Sequence, residues 1–374
     1  MREQGYIPVS IEQVTEKAKR PVRKSNLRRR IKASDLATFC WQFSTMIEGG
    51  IGITTALQTI ADDLENQRFG WILRKVSEKI SKGESFVTSV SEFPNVFNKL
   101  ARAVILAGET GGSLATSMRR LAEYYENRDK LAKRVKGATA YPIFVFSFII
   151  LIIVVIMTFI IPRFRVIFDQ IGGKLPVFTV GFMKVYDVVC ENIVYILGSM
   201  FLLIIIAIFS YTRTKKGHRF FSVISLKLPL LGKLFSHAFV SVFCRTMSTL
   251  LAAGVSILEV FDILSDMARN DIIKDAVVKT RDQIVEGQSI SASMSGASFF
   301  PNMVIKMTQV GEESGSMSNV LDKTANYYER KVESTISTLM SLIEPIMIVS
   351  IGAIVLVVVL ALYLPIFMIS DISN

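Results

Sequence analysis

Two short turns carry the residues best suited to specific contacts. Ala107-Gly108-Glu109-Thr110-Gly111-Gly112-Ser113-Leu114 and Val310-Gly311-Glu312-Glu313-Ser314-Gly315-Ser316-Met317 each set a carboxylate among glycines, shortly before a serine. A carboxylate at a helix end has two chemistries open to it. It can accept hydrogen bonds from the N-terminal amides of the helix that follows, or it can dock a basic group on a partner. Shortly downstream, Tyr124-Tyr125 and Tyr327-Tyr328 offer either core packing or an interface. Gly108, Glu109, Gly112, Gly311, Glu312, Gly315 and the four tyrosines are therefore the candidate partner-interface residues. If the glutamates serve a partner, Glu109→Ala and Glu312→Ala should spare folding and impair assembly; if they cap helices, both should suffer together.

Catalytic constellations are missing from the sequence. The three cysteines, Cys40, Cys190 and Cys244, form no CxxC pair, and His218 and His237 stand apart, so zinc spacing cannot be built. Cys40 and Cys244 read as small core residues. No GxxxxGK[ST] phosphate cradle occurs. The long apolar runs contain no carboxylate, which argues against intramembrane aspartyl proteolysis. The expectation is a protein that is not an enzyme and holds no cofactor or metal.

The elements that position the turns come in two copies. Phe39-Cys40-Trp41-Gln42-Phe43-Ser44-Thr45-Met46-Ile47-Glu48-Gly49-Gly50-Ile51 aligns with Phe243-Cys244-Arg245-Thr246-Met247-Ser248-Thr249-Leu250-Leu251-Ala252-Ala253-Gly254-Val255, and the repeat extends over about 36–168 and 240–371. Within a copy the period is helical: Leu36, Phe39, Cys40, Phe43, Met46 and Ile47 fall three and four apart, as do Leu57, Ile60, Ala61 and Leu64. Gly49-Gly50, Lys82-Gly83, Phe93-Pro94 and Gly111-Gly112 punctuate the helices, and Thr54 and Ser113 are predicted N-caps. No window alternates like a strand. About six helices per copy are predicted, the last running into an apolar segment past Pro142 or Pro345. Proline removes a helical hydrogen bond, so these two are candidate hinges at membrane entry.

Composition demands a membrane. The chain has 374 residues, 51% of them hydrophobic, and three apolar runs, 143–161, 193–212 and 346–364, are free of charge and long enough to cross a bilayer core of roughly 30 Å. The fold class is an all-α membrane protein: two homologous cytoplasmic helical bundles and three transmembrane helices. Lys and Arg number 24 in 1–142, 4 in 162–192, 15 in 213–345 and none after 364, and cytoplasmic flanks retain positive charge. The predicted order is a basic arm (1–33), a cytoplasmic bundle (34–142), a span (143–161), a periplasmic link (162–192), a span (193–212), a second cytoplasmic bundle (213–345), a span (346–364) and a periplasmic tail (365–374). The arm, with Arg28-Arg29-Arg30 among its basic residues, is expected to meet anionic lipid headgroups or an acidic protein; without aromatic interleaving it does not read as a nucleic-acid binder. A small transporter is the alternative class, but unbroken, uncharged spans and a parallel repeat speak against it.

Taken together, these residues resemble the inner-membrane platform proteins of type II secretion systems and type IV pili. The marks are the two copies ending in Gly50-Ile51 and Gly254-Val255, the Ala107-to-Leu114 turn, Pro162-Arg163-Phe164 with Phe168, Gly172 and Leu175-Pro176 after the first span, and Leu228-Pro229-Leu230-Leu231-Gly232 before the second copy. Members of that family usually have a longer region before the first bundle, of which Gly5-Tyr6-Ile7-Pro8-Val9 resembles the end. The resemblance implies a bacterial inner-membrane homo-oligomer that contacts a cytoplasmic assembly ATPase, pilin or pseudopilin subunits and other inner-membrane assembly proteins.

Overall fold

The protein is described by a computed structural model covering residues 30–160, 214–228, 231–268 and 270–372, with scattered positions between 162 and 210. Among the described residues there is no strand. The first copy comprises α1 (Ala33–Glu48), α2 (Ile53–Asp63), α3 (Gln67–Ser81), α4 (Phe86–Ser91), α5 (Lys99–Thr110) and α6 (Leu114–Val155), which passes into a π-helical turn, Ile156–Ile160. After α7 (Lys215–Lys227), the second copy repeats the series as α8 (Leu231–Ala252), α9 (Ile257–Met267), α10 (Asp271–Val285), α11 (Ile290–Gly296), α12 (Asn302–Glu313) and α13 (Met317–Ile372). Of the arm only residues 30–33 are described, of 162–192 scattered positions alone, and of 193–212 half, all of which are helical.

The apolar stripes do what their spacing dictates. Phe39, Cys40 and Phe43 of α1 and Phe243, Cys244 and Met247 of α8 are buried, as are Leu57, Ile60, Val260, Phe261 and Leu264 on the helices that follow. In each copy the first helix packs along the last, α1 on α6 and α8 on α13. The two copies also touch through α5 and α6 against α8 and through α6 against α13, so their buried residues form one continuous core. Arg120 of α6 donates to the carbonyl of Ala252 at the C-terminal end of α8, where a cation meets the negative pole of the helix. Arg134 pairs with Glu333 between the two long helices.

Three helices are long and apolar enough to cross a membrane, but they differ in what surrounds them. In α6 and α13 only 6% of the most apolar window is buried, whereas in α8 the figure is 56%. α6 and α13 therefore turn Phe144, Ile150, Val349 and Leu356 outward as a lipid-facing helix must, and α8 is a bundle core helix. α6 has 42 residues and contains Pro142; α13 has 56 and contains Pro345. Both prolines sit inside continuous helices, which run about 60 Å and 80 Å at 1.5 Å per residue. α13 continues through Pro365 to Ile372.

One capping expectation needs correction. Thr54 lies inside the first turn of α2, whose N-cap is Gly52, and its carbonyl accepts from Ser77 Oγ at 3.2 Å. Ser113 does occupy the N-cap position of α6, although its side chain makes no capping bond. The side chains that accept capping bonds are Asn66, Ser85 and Asn98, with Ser256, Asn270 and Ser289 in the second copy.

Candidate functional site

Glu109 lies in the last turn of α5, but its carboxylate reaches backward in sequence, not forward. Oε1 accepts from the Phe86 amide at 2.7 Å and Oε2 from the Val87 amide at 2.9 Å. Those are the first two amides of α4, and the third, Thr88, donates to Ser85 Oγ at 3.2 Å. A six-residue helix leaves most of its N–H groups without intrahelical partners, and one carboxylate plus one hydroxyl satisfy the leading three. Glu312 repeats the arrangement: Oε1 takes the Ile290 amide at 2.8 Å, and Oε2 takes the Ser291 amide at 3.2 Å and its hydroxyl at 2.9 Å. Ser289 Oγ takes Ala292 at 3.2 Å. The helix capped is thus the one before the glutamate's own, 21 to 23 positions upstream. Gly83-Glu84-Ser85 and Gly287-Gln288-Ser289, which recur at the repeat offset, were the signal that could have found the serine partners.

The glycines beside each carboxylate serve the same joint. A Cβ on Gly108 would stand 2.5 Å from Ser117 Oγ and 3.2 Å from the Leu114 Cα, and on Gly311 it would stand 3.0 Å from the Met317 Cα. These positions let α5 and α12 lie directly on the following long helices. Gly112 and Gly315 have φ of +64° and +65°, the left-handed geometry that ends a helix and reverses the chain. With Gly112 so placed, the Ser113 amide closes back on the Gly108 carbonyl at 2.9 Å. Each turn therefore fastens three things at once: the short helix, the penultimate helix, and the start of the helix that becomes a membrane span.

The tyrosines occupy the seam between first and last helices. Tyr125 and Tyr328 are buried at equivalent places, Tyr125 beside Cys40 and Tyr328 beside Cys244. Burial raises the Tyr125 hydroxyl well above its ordinary value and pushes Tyr328 up to about 12. Burial likewise raises the Cys40 thiol and pushes Cys244 up to about 12, so both are protonated at neutral pH and unsuited to nucleophilic or metal chemistry. Tyr124 is buried near Thr246 of the second copy. Its counterpart Tyr327 is half-buried, with the Lys331 ammonium 5.6 Å from its ring centroid. Pro142 and Pro345 lie well beyond this cluster, on the membrane-bound halves of their helices.

Arg245 joins the seam of the second copy, a role that its helical spacing alone does not signal. It is 8% exposed, yet its guanidinium reaches Asp322, Asn326 at 2.6 Å and Glu329 at 2.8 Å, tying α8 to α13. The equivalent residue in the first copy is Trp41, 41% exposed, with the Arg119 guanidinium 5.8 Å from its ring centroid. The cation has moved from the last helix to the first. A missed groove of about 350 Å3 also separates the copies, lined by Val87, Arg102 and Leu106 on one side and Glu259, Asp262 and Ile263 on the other, with Lys99 paired to Asp266 across it. Among the described residues no group of His, Cys, Asp and Glu is placed to hold a metal.

Fold and site together define a class: an all-helical membrane protein whose tandem bundles each end in a membrane-crossing helix. The sequence pattern of one family, described as "Type II secretion system (T2SS), protein F", matches twice, over residues 39–162 and 243–365. The chain belongs to that family. It is 32% identical over 337 residues to the type IV pilus assembly protein PilC of Myxococcus xanthus, covering 90% of this chain and 81% of that one. It is 29% identical to PilC of Pseudomonas aeruginosa, over 100% of this chain and 98% of the relative. With the type II secretion system protein F of Aeromonas hydrophila it shares 28% over 100% of this chain and 96% of that one.

Proposed function

We propose that this protein is a non-catalytic inner-membrane platform of a type IV pilus or type II secretion machine, coupling a cytoplasmic assembly ATPase to the polymerisation of pilin or pseudopilin subunits. The observation that carries the reading is the continuity of α6 and α13, each running without interruption from a packed bundle into a lipid-facing segment. A helix fixed in a bundle at one end and free in lipid at the other conveys displacement along its axis. Family membership and the distribution of Lys and Arg support bundles on the cytoplasmic side, a cytoplasmic N-terminus, a periplasmic C-terminus and the run 193–212 as the returning span. The inward-turned Glu109 and Glu312 act by holding each bundle's shape, and the exposed turn residues Thr110, Gly112, Ser314 and Gly315 around them are the surface offered to a partner. A ring-shaped motor calls for a symmetric stator, so a homo-oligomer is part of the reading.

Purification from native membranes in mild detergent, with mass spectrometry of co-purifying chains, tests this. Recovery of a hexameric ATPase and pilin-like subunits is the expected result. Recovery of neither, with solute uptake by reconstituted vesicles, would replace the platform with a transporter.

A further inference from the structure

α7 is docked to the second bundle by one face only. His218 Nδ1 lies 2.7 Å from Asp271, Asn270 donates to the Ser222 carbonyl at 3.0 Å, and the Asp271 amide donates to Ser222 Oγ at 3.2 Å. Ser222 and Ser225 sit on this face, against the start of α10. The opposite face is apolar and uncovered: Phe220 is 62% exposed, and Ile224 and Leu228 follow at intervals of four, with Leu231 extending the stripe onto α8. Soluble surfaces do not usually present such a run, and a stripe of this kind marks a binding face.

What covers it follows from charge and position. Residues 213–238 contain Arg213, Lys215, Lys216, Arg219, Lys227 and Lys233 and no Asp or Glu, and Arg219, Lys227 and Lys233 are exposed around the stripe. The helix also begins at the end of an apolar run. The Thr214 amide donates to the Ser210 carbonyl at 3.2 Å, and a Cβ on Gly217 would stand 2.4 Å from that same oxygen. The first turn of α7 thus lies directly against Ser210, near the end of that run. An apolar stripe rimmed by cations and fixed to the end of a span matches the chemistry of a headgroup region, with hydrocarbon on one side and phosphate on the other.

Resting on the topology proposed above, we infer that the α7–α8 elbow is a membrane-surface element that lies in the anionic headgroup layer of the bilayer the protein spans, with Phe220, Ile224, Leu228 and Leu231 inserted and Arg219, Lys227 and Lys233 on lipid phosphates. It seats the second bundle on the membrane through a surface for which the first bundle's described residues offer no counterpart.

The test uses the full chain with Cys190→Ser, since Cys40 and Cys244 are buried. An environment-sensitive nitrobenzoxadiazole label is placed at Ile224→Cys, at Val285→Cys on the far end of α10, or at Ile348→Cys in the third apolar run. Vesicles contain phosphatidylethanolamine alone or with phosphatidylglycerol, plus shallow or deep nitroxide lipids, and iodide is the aqueous quencher. The label at 224 should be quenched by shallow nitroxide and shielded from iodide, more so with phosphatidylglycerol. Reversing Arg219, Lys227 and Lys233 to Glu should cut that lipid-dependent part at least about twofold. Iodide quenching at 224 equal to that at 285, or shielding at 224 from both quenchers as a covering protein would give, overturns the inference while 348 stays lipid-quenched. If 348 is itself open to iodide, the topology fails instead.

Discussion

The two copies share a backbone plan and differ in how they fill it. Around the first, Phe69 packs edge-on to Phe39 at 5.4 Å and near Phe97 at 6.4 Å, leaving α3 fully seated. At the equivalent place the second copy has Ile273, beside an apolar pocket of about 560 Å3 shared by Phe221, Phe235 and Phe239. The first copy joins its first and last helices through an indole and an arginine at the surface, the second through the buried Arg245 cluster. What is identical is the joinery: Glu109 and Glu312, Ser85 and Ser289, and the left-handed glycines of the turns. Turn and cap chemistry fix the architecture, while the seams tolerate different solutions.

Substitutions separate the two copies. The largest effect is expected from Phe69→Ala, which empties a tightly packed site and should cost about 3–5 kcal/mol, against about 2 kcal/mol for Ile273→Ala, where an adjoining pocket already leaves room to collapse; urea unfolding followed by a probe in each bundle reads the difference. Equal costs would mean that the pocket is not a packing difference. Next, Arg245→Met strips the charged hydrogen bonds of the second seam and should destabilise that bundle by about 2–3 kcal/mol, with little change around Trp41. Glu109→Ala and Glu312→Ala should each cost about 1–2 kcal/mol by uncapping α4 or α11. Amide hydrogen exchange should rise first at residues 86–88 or 290–292, and protection retained there would return the glutamates to a purely partner-facing role.

The smallest effect is on alkaline stability. Burial holds Cys40, Cys244, Tyr125 and Tyr328 protonated in the folded bundles. A thiol released by unfolding titrates near its ordinary 9.0, so the contribution of these groups is complete below that pH and is lost as pH rises toward about 12. Thermal stability should therefore fall above pH 9.0, and less so in Cys244→Ala; an unchanged slope would mean that the thiol is not desolvated.

Much of this was legible in the residues. The repeat, the helical period, the glycine turns and the apolar runs at 143–161 and 346–364 come from local pattern, which a sequence displays directly. The capping partner of Glu109 did not, because α4 lies 22 and 23 positions upstream and only packing brings it there. Thr54 resembled a cap by type, yet the Gly49-to-Gly52 turn places the helix start before it. Arg245 read as one more charge on a helix, since its partners sit 77 to 84 positions away. The exposed stripe of α7 was hidden by its own spacing, which a core helix shares.

The central claim is that each bundle and its membrane helix move as one body. Inserting a short Gly-Ser linker between Lys136 and Tyr141 of α6, and separately between Thr338 and Glu344 of α13, uncouples them without touching core, caps or span. Fibre assembly or secretion should be abolished while thermal stability and membrane insertion stay unchanged. Assembly at the parental level with both linkers in place would contradict the account.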